Sequence, residues 1–307
     1  MTDKFIHAVP NFSEGRRTEV IEKIVNELRD IEGIKLVGYF PDEDFNRTVV
    51  ELIGKPKPLR EALLNMAQKS IELIDMRKQS GDHPRIGAQD TIPIFPLKNI
   101  SVKECVEFAE NIGEELFEKL EVPIYFSGAN ARSEERENLA FIRNGQYEGL
   151  KELLEENSEE AEKRKPDLSV DGKLDDKSGA VIVSAGEKPL IAYNVILDTD
   201  NIEIAKDIAR SVRGPSGGFD TVRAVGLKFE ERNKVAVSMN MFDYEKTPIY
   251  RTFDFIKNEA SRFGVSVVGS ELVGVVPQEA LINSLEKYIR LENFERSQIL
   301  ENNLIDL

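Results

Sequence analysis

Hydrophobic and polar positions along the chain switch between two periods, and the switches mark its elements. Residues 5–9 form a short apolar run that reads as a strand, after which Val20, Ile21, Ile24, Val25 and Leu28 recur at the spacing of a buried helical face. Residues 34–40 and 48–53 read as two strands joined by the polar loop 41–46. Pro58 sits where a first helical turn tolerates proline, and Leu59, Ala62, Leu63, Met66, Ala67 and Ile74 line the inward face of the helix that follows. Residues 91–95 supply a fourth strand. The order strand, helix, strand, strand, helix, strand is the split βαβ or ferredoxin-like signature. Ser101 with Glu104 forms a capping box ahead of the apolar face Val102, Cys105, Val106, Ala109, Ile112 and Leu116, and residues 122–127 extend the unit as a strand.

Residues 152–162 are rich in glutamate, and the polar run 163–178 continues without periodicity, so the domain boundary is expected there. Beyond it, residues 190–197 read as a strand, 202–212 as a helix, 222–229 and 235–242 as strands. Pro248 opens a helix through residue 263, with Ile249, Phe253, Ile256 and Ala260 inward, and residues 265–269 close the unit. The expectation is an α+β protein of two ferredoxin-like βαββαβ subdomains, residues 1–178 and 179–307, with a ligand groove between them.

Charge narrows the function. With 56 acidic against 41 basic side chains the formal charge is −15, which repels nucleic acid and anionic membranes. No stretch approaches the ~20 apolar residues of a membrane span, and the start lacks a basic end followed by an apolar signal core, which points to the cytoplasm. The single cysteine, Cys105, rules out an internal disulfide and a thiolate metal cluster, and its place on an apolar helical face marks it as a core residue. An exposed apolar face in either half leaves a homodimer open.

Only two histidines are present. His83 lies in GDHPRIG, residues 81–87, a loop between an amphipathic helix and a strand, where scaffold-held functional groups occur. Residue chemistry leaves a helix-capping or solvated role equally open. His7 lies inside a strand and reads as a packed or hydrogen-bonded sheet residue. Two histidines so far apart, without a carboxylate at ligand spacing, argue against a metal site, and Asp42, Glu43 and Asp44 read as an acidic turn. Residues 214–218, GPSGG, satisfy a nucleophile-elbow pattern but follow a helix and precede a strand, the reverse of the context it needs, so they read as a turn. Asn11, at the end of the first strand, and Asn46 and Arg47, at the start of the third, can converge with His83; those strands are neighbours in a split βαβ sheet, which lets Asn11 and Arg47 share one sheet region, and plain loop hydrogen bonding by these polar residues is an equally open reading.

Several segments together resemble glutamate formiminotransferase: VPNFSEGR at 9–16, NRTV at 46–49, IDM at 74–76, DHPRIGAQD at 82–90, ECVEFA at 104–109, VPIYFSGANAR at 122–132, LIAYNV at 190–195, VSMNMFDYEKTP at 237–248 and GSELVGVVP at 269–277. The resemblance spans almost the whole chain in order. It implies transfer of a formimino group from N-formiminoglutamate to N5 of tetrahydrofolate, with tetrahydrofolate as co-substrate and no metal. It makes His83 the catalytic acid/base; a nearby carboxylate such as Asp82 or Asp90 could orient the ring or stabilise its protonated form. Both substrates carry carboxylates, for which Arg47, Arg85 and Arg143 are the candidate partners, a structural ion-pair role being equally open for each. Asn11, Asn46, Asn194 and Asn240 are candidate amide contacts. Vertebrate relatives continue into a cyclodeaminase; here the resemblance covers the transferase part alone, so a cyclodeaminase would be a separate polypeptide.

The chain departs from the family pattern in places. The folate-binding loop aligns with residues 169–179, SVDGKLDDKSG, which makes Ser169, Val170, Asp171, Gly172 and Gly179 the folate-binding candidates in a text that lacks the family's proline-bearing, more apolar run. Histidines common in the family near Gln79 and Phe45 are absent. Two other readings stay open: formyl transfer between formylglutamate and tetrahydrofolate, and a folate-binding protein without catalysis.

Overall fold

The computed structural model describes residues 3–229 and 232–304, so Met1 and Leu307, the outer limits of the two expected domains, lie outside it. The chain forms two compact units that divide between Glu187 and Lys188.

In the first unit β1 (Phe5–Ala8) and β2 (Asn11–Phe12) are two lengths of one edge-to-edge path, interrupted where Pro10 has no N–H to give. The elements α1 (Thr18–Val25), β3 (Ile34–Asp42), β4 (Arg47–Gly54), α2 (Pro56–Leu73) and β5 (Gln89–Lys98) follow. β4 pairs antiparallel with β3, β1 and β2, and β5 pairs antiparallel with β1 and β2 on their other side. This is the ferredoxin-like arrangement read from the periodicity. α3 (Val102–Leu120) begins at the Ser101 capping box, and β6 (Ile124–Gly128) follows it. Along β4, Val50 and Leu52 are fully buried and alternate with Arg47, Val49, Glu51 and Ile53 on the opposite face. Asn11 pairs with Val49 and shares that face.

The expected boundary at residue 178 falls too early. The acid-rich segment folds onto the first unit as α4 (Glu134–Glu137), α5 (Leu139–Arg143), α6 (Gln146–Leu154) and α7 (Glu159–Arg164). Two buried guanidiniums hold it there: Arg136 pairs with Asp167 and donates to the carbonyls of Lys163 and Lys165, and Arg164 donates to those of Ile142 and Asn144. The chain then returns as β7 (Val181–Ala185), which inserts parallel between β5 and β6. A strand covered on both faces reads as an unbroken apolar run rather than an alternation, so periodicity gives it no register.

The second unit comprises β8 (Ile191–Leu197), α8 (Ile202–Val212), β9 (Val222–Phe229), β10 (Lys234–Met241), α9 (Ile249–Arg262), β11 (Val267–Val273) and α10 (Gln278–Ile289). Its antiparallel sheet runs β11-β8-β10-β9, again ferredoxin-like. Ile191, Tyr193, Val195 and Leu197 alternate into its core with Val235, Val237, Met239 and Met241. Gly214–Ser216 is a short 3₁₀ turn between α8 and β9, as the GPSGG context implies. Among the described residues no helix is long and apolar enough to cross a membrane.

Candidate active site

Three loops of the first unit interlock to hold His83. The turn between β3 and β4 closes on Asp42, whose Oδ1 accepts from Phe45 N at 2.8 Å, and Asn46 takes the left-handed conformation, φ 48°, that asparagine tolerates. Asn46 then links the other two: its Oδ1 accepts from Gly15 N at 3.0 Å, and its Nδ2 donates to Ser80 O at 2.8 Å. Asn46 therefore fixes loops rather than facing a ligand with a free amide. Thr48 Oγ1 donates to Glu14 O and Ser13 Oγ to Gly87 O. Gly81 passes the β3–β4 turn so closely that a Cβ there would lie 2.2 Å from Phe45 O, which is why the loop leading to His83 carries glycine.

Nδ1 of His83 is 2.7 Å from Pro84 O, which can only accept, so Nδ1 carries the proton in the neutral ring and Nε2 is the basic nitrogen. Arg47 Nη1 lies against both ring nitrogens, 2.9 Å from Nδ1 and in contact with Nε2. Arg47 is in turn held by Asn11 Oδ1, which accepts from its Nε at 2.8 Å and from Nη2. The convergence of Asn11, Arg47 and His83 expected from strand adjacency is therefore present. Burial, reinforced by the positive charges of Arg47 and then Arg143, lowers the His83 pKa to about 4, and burial with the Arg143 charge lowers that of Arg47 to about 10.

Neither Asp82 nor Asp90 orients the ring; the Pro84 carbonyl does. Asp82 is exposed. Asp90, 1% exposed, accepts from Ile86 N at 2.8 Å through Oδ1 and pairs through Oδ2 with Arg143 Nη2. Arg85 is also committed within the chain. Its Nε and Nη2 donate to Gln79 Oε1 and Gln79 O, Nη1 to Gln146 Oε1, and both terminal nitrogens to the Glu148 carboxylate, so all five protons are used. A substrate contact from Arg85 would have to break this cage. Gln79 thus braces Arg85 and Asn46 O. Phe45 packs on the His83 ring with centroids 5.5 Å apart. Sequence reading missed Glu148, Gln146 and Glu14; Glu14 accepts the N–H groups of Arg16 and Arg17 at the start of α1, and only its place just before a helix hinted at it.

The proposed folate loop meets the site at one end only. Ser178 O accepts from Ala88 N and Ile86 O from Ala180 N, so Gly179 lies against Ile86 and Gly87. Gly179 has φ 73°, and a Cβ on it would lie 2.0 Å from Ile86 O. Gly179→Ala is expected to cost about 2–4 kcal/mol through strain and overlap together, read as a lowered thermal midpoint; an unchanged midpoint contradicts this packing. Ser169, Val170, Asp171 and Gly172 form a separate turn, with Ser169 Oγ accepting from Gly172 N and Val170 73% exposed. Asn194 and Asn240 belong to the second unit, on the sheet face opposite its core; Asn194 donates to Glu271 at 3.1 Å, and Asn240 is exposed. His7, on β1, is buried against Glu51 and Phe95, a hydrogen-bonded sheet residue as expected. Cys105 is fully buried. Among the described residues no three His, Cys, Asp or Glu side chains gather to hold a metal ion.

Fold and site together define an α+β protein of two ferredoxin-like units whose first sheet presents an imidazole and a guanidinium at its strand ends. The family model described as formiminotransferase domain, N-terminal subdomain, matches residues 5–186, and that described as formiminotransferase domain matches residues 192–307. The chain belongs to the formiminotransferase family. It is 42% identical over 304 residues to glutamate formimidoyltransferase of Streptococcus pyogenes serotype M1, covering 98% of this chain and 99% of that protein. It is 38% identical over 303 residues to glutamate formimidoyltransferase of Thermoplasma acidophilum, covering 97% of each. Against the formimidoyltransferase-cyclodeaminase of Gallus gallus it is 37% identical over 295 residues, 94% of this chain but 53% of that protein, so it spans about half of that longer chain.

Proposed function

We propose that this protein transfers the formimino group of N-formiminoglutamate to N5 of tetrahydrofolate, with His83 as general base and then general acid. The observation that carries the reading is His83 held as the Nδ1–H tautomer, which leaves Nε2 as a lone pair beside the cations Arg47 and Arg143. In the reaction N5 attacks the amidine carbon and Nε2 accepts the N5 proton. The tetrahedral intermediate then breaks its bond to the glutamate nitrogen, which leaves with the proton that Nε2 returns. One imidazole serves both steps because a single proton moves from one amine to another. Arg47 and Arg143 offset the substrate carboxylates in a chain of charge −15.

Incubating the protein and tetrahydrofolate with either N-formiminoglutamate or formylglutamate tests the reading. Product is expected from the formimino donor at a kcat/KM at least about tenfold above that from the formyl donor, a difference of about 1.4 kcal/mol in transition-state binding. Product from formylglutamate alone overturns it, and folate binding without turnover of either donor favours a binding protein.

A further inference from the structure

We propose that Arg47 masks the basic nitrogen of His83 in the empty site, and that a substrate carboxylate removes the mask by taking Arg47 as its own partner. The inference deepens the proposed transfer reaction and rests on it for the role of His83. Nε2 is the only ring nitrogen with a lone pair, and a cationic N–H donor occupies it. A lone pair so engaged cannot accept a proton from an attacking amine. Burial, with the Arg47 charge adding to it, holds the imidazole near a pKa of about 4, far below the range in which one group both takes and returns a proton at neutral pH.

Arg47 is the group without an ionic tether. Its hydrogen bonds end on the Asn11 amide oxygen and on an imidazole, both neutral, so among the described residues it has no carboxylate partner. The charges around the ring come from four elements: Arg47 on β4, Arg143 on α5, Asp90 on β5 and, acting on Arg47, Asp42 at the end of β3. Asp90 is committed to Arg143 and Ile86 N, and Asp42 to Phe45 N. Arg143 Nε is itself buried without a hydrogen-bond partner. Of the two guanidiniums only Arg143 is ion-paired, and a partly buried cation without a counter-ion is costly. An incoming carboxylate offers Arg47 a charge-assisted, bidentate partner that a neutral imidazole cannot match. Moving Nη1 to it bares Nε2, and the added negative charge raises the proton affinity of the ring toward the operating range. The base becomes available when the group it serves has arrived.

Nitrogen-15 NMR of histidine-labelled protein tests the mask on the intact chain. With two histidines in the sequence, the His83→Gln variant assigns both by subtraction. Empty wild-type protein is expected to show the Nδ1–H tautomer of His83 titrating at about 4. Saturating L-glutamate, used as the anionic probe, should raise that pKa by about one unit or more, a tenfold or greater change in proton affinity. Arg47→Gln, with its near-ultraviolet circular dichroism checked against wild type, should start from the raised value and respond little to glutamate. Arg47→Lys keeps the charge but not the forked contact, and should fall between the two. The mask is overturned if Arg47→Gln titrates like wild type, and its release is overturned if glutamate shifts no His83 resonance. Turnover of wild-type protein with the formimino donor is read separately. A failed mask with intact turnover sinks only this device, and an intact mask without turnover of that donor sinks only the transfer reading.

Discussion

His83→Ala is expected to lower kcat for the proposed formimino transfer by about 10²- to 10⁴-fold, equivalent to about 3–5 kcal/mol of barrier, and to leave the fold in place. The large kinetic effect follows because the neighbours of the ring among the described residues are not proton carriers: Phe45 is packed on the imidazole, and Gln79 is spent on Arg85 and Asn46. The small structural effect follows because the ring sits in a loop, and its partners, the Pro84 carbonyl and Arg47, can turn to water when it is removed. The pH dependence carries a sign. In the folded protein the imidazole is held at about 4, against about 6.5 in an unfolded chain, so the unfolded state binds the proton first as pH falls. This group therefore adds to stability above the unfolded value and loses that contribution as pH falls from about 6.5 toward 4; His83→Ala removes the loss. Steady-state kinetics and urea melts of both proteins across that range check the two halves. A variant that keeps more than about a tenth of wild-type kcat removes His83 from the chemistry.

Legibility in the sequence tracked the range of the interactions. Elements with a single buried face announced themselves: α8 lies where Ile202, Ala205, Ile208, Ala209 and Val212 recur, and β10 where Val235, Val237, Met239 and Met241 alternate. β7 did not, because a strand inserted between β5 and β6 lacks a polar–apolar alternation, with Val181, Ile182 and Val183 consecutive and buried, and follows a charged stretch whose burial depends on Arg136 and Arg164. That one strand moved the boundary from residue 178 to Glu187. At the site, Asn11 and Arg47 were readable beside His83 because strand adjacency brings the starts and ends of known strands together. The commitment of Arg85 was not, since Gln146 and Glu148 lie on a different helix, α6, whose approach no local pattern encodes. Nor was the identity of the group that orients the ring: a carboxylate is the natural expectation, and the Pro84 carbonyl beside it in sequence accepts the Nδ1–H hydrogen bond instead.

The largest loss of stability at the site is expected from Asp90→Ala, at about 3–5 kcal/mol, because it strips a buried guanidinium of its counter-ion. Asp90 is 1% exposed and the Arg143 side chain 11%, so little water reaches the charge left behind. The same substitution orphans Ile86 N, which Asp90 Oδ1 holds at 2.8 Å, and Ile86 begins the short bridge to Gly179 that ties the His83 loop to the sheet. Arg143, already lacking a partner at Nε, would then turn its whole charge on His83 and Arg47. Hydrogen exchange locates the damage: amides of residues 86–88 and 179–183 should exchange faster, while those of β8 and β10 in the second unit keep their wild-type protection. Asp90→Asn retains an acceptor for Ile86 N but not the ion pair, and should lose about half as much. The double substitution Asp90→Ala with Arg143→Met discriminates the cause. If the penalty arises from an uncompensated buried charge, removing that charge restores most of the stability that Asp90→Ala loses; if the double variant is no more stable than the single one, the ion pair is not what Asp90 contributes.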